Sequence, residues 1–311
     1  MLSRQAVTCP PSLLELAEPL PATPTAIVNA GAQLAMLSAH DATRLNLIEP
    51  VFFGDPEAIT HHALELNWDI SDYRIVATEN EAEAAKEAAA WGGRGDVGMV
   101  MKGHIHTDVF MRAMVSRASG MRTGARYTHV FHMTAPDRDG SLLISDGAVN
   151  VHPDFETRKS ILKNAVLMSR ALGNKRPHVA ILSATEEATE TIPSSMEAQK
   201  LSDWASDNVS DAEVFGPLAF DLAVSPDAGR IKGVDHPVAG NADILIVPDI
   251  VSGNALFKMM VYFMGACAAG LVLGARVPIL LTSRADPPAA RLASAALGAV
   301  VNDYMKKQNG A

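Results

Sequence analysis

AIVNAGAQLAMLSAHDATRLNLIEPVFFGDPEAI, residues 26–59, is the stretch that decides the fold class. Ala26-Ile27-Val28 is an apolar run of strand length. From Ala32 to Leu47 the chain is alanine-rich and reads as a helix. Pro50–Phe53 then makes a second strand and Pro56–Glu65 a second helix. Parallel neighbours require this alternation, because a crossover must return the chain to the same edge before the next strand begins.

The same unit repeats on the C-terminal side. Arg74–Val76 is followed by a helix Glu79–Trp91, and the strand Val97–Met101 leads into a helix beginning near Thr107. The rhythm breaks at Thr128–Met133 and Leu142–Ile144. These strands are joined by the turn-rich APDRDGS and read as a hairpin or a crossing between domains. Beyond them come a helix Phe155–Leu172, a strand Val179–Leu182, a helix around Ser195–Ala205 and a strand Ile244–Val247. A helix Gly253–Ala266, a strand Val277–Leu281 and a last helix from Pro287 to about Met305 complete the pattern. It predicts an α/β fold: two α/β domains with a cleft between them, where ligands usually sit.

At 311 residues, 48% hydrophobic and 20% charged, the chain is long enough for two such domains and too apolar for wholesale disorder. A net charge of −9 argues against nucleic acid or an anionic membrane as partner. Cys9 and Cys267 are the only cysteines, which excludes a disulfide framework or a CxxC metal site and points to the cytoplasm. The opening MLSRQAVTCPPS lacks the apolar region of a secretory signal. Met259–Ala275 is uncharged, yet short for a membrane span and without a companion. It reads as a buried helix followed by a strand.

Within this acidic chain, Arg94, Lys102, Arg112, Arg117, Arg122 and Arg126 meet only Asp96 and Asp108 between residues 94 and 126. Such an island suits an anion, most simply phosphate. A solvated helix face is the competing reading, with Arg112 and Arg117 on one predicted helix. Met101-Lys102-Gly103 ends a strand, and Thr107 or Asp108 is placed to cap the next helix. Free N–H groups and a positive dipole then meet at one place. Neither GxGxxG nor GxxxxGK[ST] occurs. His104, His106, His129 and His132 lack HExxH spacing and cysteine partners, so no metal is expected. They read as loop or surface histidines, with His106 a candidate wall of a phosphate pocket.

Three more stretches carry polar groups with possible chemistry. Asp154 is a good N-cap for the helix after it, whereas Asp146 and Asn150 have no obvious local task and are open to structural or cleft-lining roles. Asn254 and Lys258 share one face at a helix start and suit a phosphate or a carbonyl; an ordinary Ser252 cap with a solvated Lys258 is the alternative. Ser283-Arg284-Ala285-Asp286 follows an apolar strand, at the kind of strand tip that favours catalytic groups. The planar fork of Arg284 suits an oxyanion, while Asp286 before Pro287 equally fits an N-cap. Neither cysteine sits in a reactive setting.

These residues lie in long ordered blocks: MVMKGHIHTD, LLISDGAVNVHPDFETRKSILKNA, VAILSATE followed by IPSS, GPLAFDLAVS, KGVDHPVAGNADILIVPD and SGNALFKMMVYFMGACAAGLVLGARVPILLTSRAD. In them the chain resembles the phosphate acetyltransferase and phosphate butyryltransferase family over nearly its full length. The resemblance implies the reaction acyl-CoA + phosphate ⇌ acyl phosphate + CoA, with coenzyme A and phosphate as substrates and no tightly bound cofactor. It also implies an isocitrate/isopropylmalate dehydrogenase-like fold and a homodimer. The implied domains are residues 1–136, joined by the C-terminal helix 287–311, and residues 137–286.

Carried over by position, Thr107 and Arg112 serve the phosphate end, with Lys102 beside them. Asn254 and Lys258 match the family's GN-x-L-x-K motif, and Asp146 and Asn150 count among the substrate-binding candidates. Ser283 and Arg284 match its catalytic Ser-Arg pair. Acetyl-specific members resemble one another in an aspartate six residues after that arginine, where this chain has Ala290. SRAD looks more like the butyryltransferase branch and makes Asp286 the nearest acid. Met259, Phe263 and Met133 are candidates for the acyl pocket wall. The rival readings are a dehydrogenase on the same fold, an acyl-carrier-protein-dependent phosphate acyltransferase, and a degenerate CoA-binding protein without turnover.

Overall fold

The computed structural model describes residues 2–136, 140–282 and 286–310. Its strands in chain order are β1 (Thr23–Val28), β2 (Ile48–Gly54), β3 (Ile75–Ala77), β4 (Met99–Lys102), β5 (Thr128–Thr134), β6 (Leu142–Ser145), β7 (His178–Leu182), β8 (Glu213–Leu218), β9 (Ile244–Ile246), β10 (Cys267–Leu273) and β11 (Ile279–Leu280). The chain divides into two compact units, residues 7–125 with 269–311 and residues 126–268 with 1–6.

In the first unit the strands run β3-β2-β1-β4-β11-β10. All are parallel except β10, which is antiparallel to β11. Ile27, Val28, Phe52, Phe53 and Val100 are fully buried, as expected where helices cover both faces of a parallel sheet. The helix Glu81–Arg94 begins where the Asn80 side chain accepts from the backbone N–H groups of Ala82 and Glu83, and ends at Gly95 with φ +82°. Its inner face is Ala84, Ala85, Ala88 and Ala89, small residues that let the backbone approach its neighbours closely. The last helix, Pro288–Asn309, buries Ala293, Leu297, Val300 and Val301.

In the second unit the order is β5-β6-β9-β7-β8. Of the two readings the sequence allows, hairpin or domain crossing, β5 and β6 form the antiparallel hairpin, with Val130 opposite Ser145 and Met133 opposite Leu142, and the other pairs are parallel. The helix Phe155–Ala171 starts at Asp154, whose carboxylate accepts from Thr157 N–H at 2.8 Å. Those hydrogen bonds hold the Asp154 carboxyl below its ordinary value. The cap is as the sequence predicts.

Several expectations change. β8 and the helices Phe220–Val224 and Pro226–Lys232 are absent from the sequence reading, because Gly216 and Pro217 disguise the strand and Pro226 the helix start. The helix Pro11–Ala17 is hidden in the same way behind Pro10 and Pro11. Arg112 and Arg117 do not share a helix: the first lies on Thr107–Met114 and the second in the 3-10 turn Arg117–Ser119. The expected helix over Gly253–Ala266 opens earlier, at Ile250, because the Asp249 carboxylate accepts from Ser252 N–H at 2.9 Å.

That helix is also not buried where the sequence predicts. Leu256, Phe257, Met260 and Val261 pack on the core, whereas Val251, Met259, Tyr262, Phe263 and Met264 are exposed. The helix is apolar on both sides and only one side has a core to meet. It ends at Met264, and Gly265, at φ +66°, turns the chain into β10. Among the described residues, no helix is long and apolar enough to cross a membrane.

The second unit contains His129 and His132, both almost fully buried, and burial pushes each imidazole down to about 4. In the unfolded chain a histidine takes up its proton near pH 6.5. Folding is therefore opposed as pH falls from about 6.5 to about 4, and the full stabilisation is present above that window. For His132 the loss is on the order of 3 kcal/mol. Thermal melts across the window should show the melting temperature falling with pH, and His132→Phe, which does not titrate, should melt with a shallower dependence.

Candidate active site

The C-terminal tips of β1, β4 and β11 in the first unit gather several of the polar groups singled out in the sequence. Lys102 is the last residue of β4 and is 9% exposed. Gly103 follows because a side chain there would meet Val28 O at 2.3 Å. Its N–H donates to that oxygen at 3.0 Å, and His104 N–H donates to Asn29 O at 3.1 Å. Asn29, at φ +52°, returns a side-chain hydrogen bond to His104 O, so the two tips are tied together. A pocket opens here, lined among others by Ile27, Met101, Lys102, His104, Thr282 and Arg291.

Arg291 was not found from the sequence. It lies on the last helix, is 7% exposed, and donates through Nη1 to Asp286 O. Its signal was available: it is the one charged residue in the otherwise uncharged run from Pro287 to Asn302. Asp286 itself is not the N-cap of that helix, which begins at Pro288 after Pro287 with no side-chain cap. The proline pair sets the entry angle and shifts the start by one residue.

The helix Thr107–Met114 has His106 at its N-cap position, and neither Thr107 nor Asp108 caps it. A carboxylate already sits there. Glu81 accepts from His106 N–H at 3.1 Å and pairs with His106 Nδ1 at 3.0 Å. Those bonds leave the Glu81 carboxyl below its ordinary value despite the opposing effect of burial, which is the largest single influence on it. Arg112 is 80% exposed and lies 3.7 Å from Asp108, one turn back on the same helix.

In the second unit the structure brings Asp146, Asn150 and Asn254 together. The Asp146 carboxylate accepts from four backbone N–H groups: Ala148 at 2.9 Å, Val149 at 3.0 Å, His129 at 3.1 Å and Asn150 at 3.3 Å. It also accepts from Asn150 Nδ2 at 2.7 Å. Asn150 Nδ2 donates onward to Tyr127 O, and Asn254 Nδ2 to Gly147 O at 3.3 Å. Gly253 makes that contact possible, since a Cβ there would lie 2.6 Å from Asp146 O. Asp146 and Asn150 are thus the frame of this loop. Lys258 lies one helical turn beyond Asn254, its Nζ 5.9 Å from the centre of the Phe257 ring.

Ser283 and Arg284 lie outside the described residues. Met133 is sealed in the core while Met259 and Phe263 face outward, so these three do not form one acyl wall. Burial pushes the Cys9 thiol up to about 11 and Cys267 is buried, which removes both as nucleophiles at neutral pH.

Parallel strands with a pocket at their carboxyl ends, lined by Lys102 and Arg291, give an α/β fold with a cationic pocket. The family described as phosphate acetyl/butaryl transferase matches residues 87–299. A phosphate acetyltransferase of Rickettsia felis is 41% identical over 91% of this chain and 81% of its own length. A phosphate butyryltransferase of Clostridium acetobutylicum is 34% identical over 85% and 88%. Among solved structures, a branched-chain phosphotransacylase from Enterococcus faecalis matches with a TM-score of 0.77 at 28% identity, over 90% of this chain and 99% of that one. The fold alone extends to a 4-hydroxythreonine-4-phosphate dehydrogenase from Burkholderia phymatum, with a TM-score of 0.54 at 13% identity over 91% and 98%. The chain belongs to the phosphate acetyl/butyryl transferase family.

Asp146→Ala should leave four backbone donors without their acceptor, and each buried donor costs about 1–3 kcal/mol. Urea unfolding followed by far-UV circular dichroism should report a loss of about 3 kcal/mol or more.

Proposed function

We propose that the protein is a phosphate acyltransferase that moves a short acyl group, acetyl or butyryl, between coenzyme A and inorganic phosphate in a ternary complex. The observation that carries this reading is the family match over residues 87–299, which spans Lys102, Thr107, Arg112, Asp146, Asn150, Asn254, Lys258, Ser283, Arg284 and Asp286. A phosphate oxygen attacks the thioester carbonyl carbon, the carbonyl electrons move onto oxygen, and collapse of that tetrahedral centre breaks the C–S bond. Acyl phosphate and the CoA thiolate result, and the thiolate takes a proton.

Each step sets a requirement for residues. The charge on the former carbonyl oxygen needs fixed donors, the role assigned to Arg284 with Ser283 beside it and to Asn254. Phosphate is already a competent nucleophile, so it needs holding rather than activating, which is assigned to Lys102, Thr107 and Arg112. Lys258 is assigned to the anionic donor. With Ala290 in the helix, Asp286 is the acid assigned to the thiol proton. Neither a metal nor a tightly bound cofactor takes part in this scheme, and the reaction is placed in the cytoplasm.

The exposed stripe of Val251, Met259, Tyr262 and Phe263 supports a homodimer, because a contiguous apolar helix face on a folded protein is usually covered by a partner.

Purified protein mixed with phosphate and acyl-CoAs from acetyl to hexanoyl should release thiol only when phosphate is present, and the chain-length optimum names the acyl group. Release without phosphate would make the protein a thioesterase. CoA binding with no release from any donor would make it a binder. Arg284→Ala should lower kcat by about 10²–10³ with an unchanged circular dichroism spectrum; an unchanged kcat would remove Arg284 from the chemistry.

A further inference from the structure

We propose that Arg291 is a substrate-binding residue and that, with Lys102, it forms a seat for a phosphate oxyanion at the tips of β1, β4 and β11. The assignment of that anion as the reacting phosphate, free or as the phosphoryl end of acyl phosphate, rests on the acyltransferase reading. The seat itself rests on geometry.

Four observations converge. Lys102 and Arg291 line the same pocket, on the strand side and the helix side respectively. Both are more than nine-tenths buried, where a bound anion adds to the stabilisation of a cation. Arg291 Nε has no hydrogen-bond partner although it is buried, whereas Nη1 is held by Asp286 O. Finally, β1 pairs with β2 on one side and β4 on the other, so the pocket lies at a topological switch point, outside the carboxyl ends of the strands.

The charges facing Arg291 are limited. Burial pulls its guanidinium below the ordinary value, and Asp286 and Asp41 oppose that pull. A doubly charged oxyanion in the pocket that Lys102 and Arg291 both line would offset the cost of burying their charges. Thr282 also lines the pocket, and Ile27 and Leu34 add apolar lining beside the cations. The neighbouring helix N-terminus is a weaker seat, because the Glu81 carboxylate lies beside it on His106 and Arg112 points into solvent.

The test uses the full chain and its Arg291→Met and Arg291→Lys variants. Thermal melts are recorded with inorganic phosphate, with acetyl phosphate and with CoA, each alone, and phosphate-dependent thiol release is measured over a range of phosphate concentrations. The melting temperature of the parent should rise with phosphate and with acetyl phosphate. Arg291→Met should lose that rise and increase KM for phosphate about tenfold or more, the worth of one charge-assisted hydrogen bond, with KM for acyl-CoA unchanged. Arg291→Lys should recover part of both, a rescue that a purely structural link to Asp286 would not produce.

The proposal is overturned if folded Arg291→Met keeps the phosphate-induced rise and the parent KM. It is also overturned if the dependence on Arg291 appears with CoA rather than phosphate. If Arg291→Met does not fold, Arg291→Lys decides the matter: a raised KM for phosphate supports the seat, and an unchanged one overturns it. A parent protein that releases no thiol, yet shows an Arg291-dependent rise with phosphate, would preserve the seat and refute the acyltransferase reading.

Discussion

The pairing of β1 with β2 on one side and β4 on the other is the constraint on which the first unit depends. Parallel strands send their connecting helices to the faces of the sheet, so their carboxyl ends share one open edge. At that edge Val28 is followed by Asn29 in the left-handed region, and Lys102 by a glycine that no side chain could replace. The hydrogen bonds between Asn29 and His104 hold the two tips in register and fix where Lys102 lies. A cation at the end of a fully buried strand has little freedom to move, and that rigidity is what a binding group needs.

The second unit meets the same demand with an anion. Asp146 is 2% exposed and would be a liability without its ring of N–H donors. With them, a loop that carries no regular structure becomes a rigid platform under the helix Ile250–Met264. Gly253 allows the helix to rest directly on that platform, and the Phe131–Phe257 stack, with centroids 4.1 Å apart, fixes its roll. Asn254 inherits its position from both. A mutation at Asp146 therefore reaches Asn254 without either side chain touching the other.

Sequence reading recovered most of this fold because its signal is the switch between apolar strand runs and alanine-rich helices. That signal survives wherever glycine and proline stay out of the elements, and it fails in β8, where Gly216 and Pro217 interrupt the run. It fails differently in the helix Ile250–Met264: apolar residues on both faces resemble a buried helix, and composition cannot distinguish the face that meets the core from the face left exposed. Among the candidate site residues, Lys102 and Asn254 stand out in the sequence because each adjoins a glycine, Gly103 and Gly253. Asp146 was noticed without a task, since its partners are backbone groups brought close by the β5–β6 hairpin. Beyond its lone charge, Arg291 carries no signal of a pocket in the sequence, because only the packing of the last helix against the strand tips brings it beside Lys102.

Ala290 is best judged by the size of the task left undone. It is 3% exposed, so the helix gives that position no room to act on a substrate. A thiol of ordinary pKa near 8.5 lies about 1.5 units above neutral pH, so forming the thiolate costs about 2 kcal/mol without any base. Cations at the site reduce that cost further, as they do for any thiol beside lysine or arginine. Stabilising the tetrahedral oxyanion with donors fixed in advance is worth about 3 to 4 kcal/mol per donor. On the proposed reaction, then, the cationic groups carry more of the barrier than a base does. Replacing an aspartate by alanine slows the direction that consumes CoA by a bounded factor, whereas removing the fixed positive charges would deprive the chemistry of its main support in both directions.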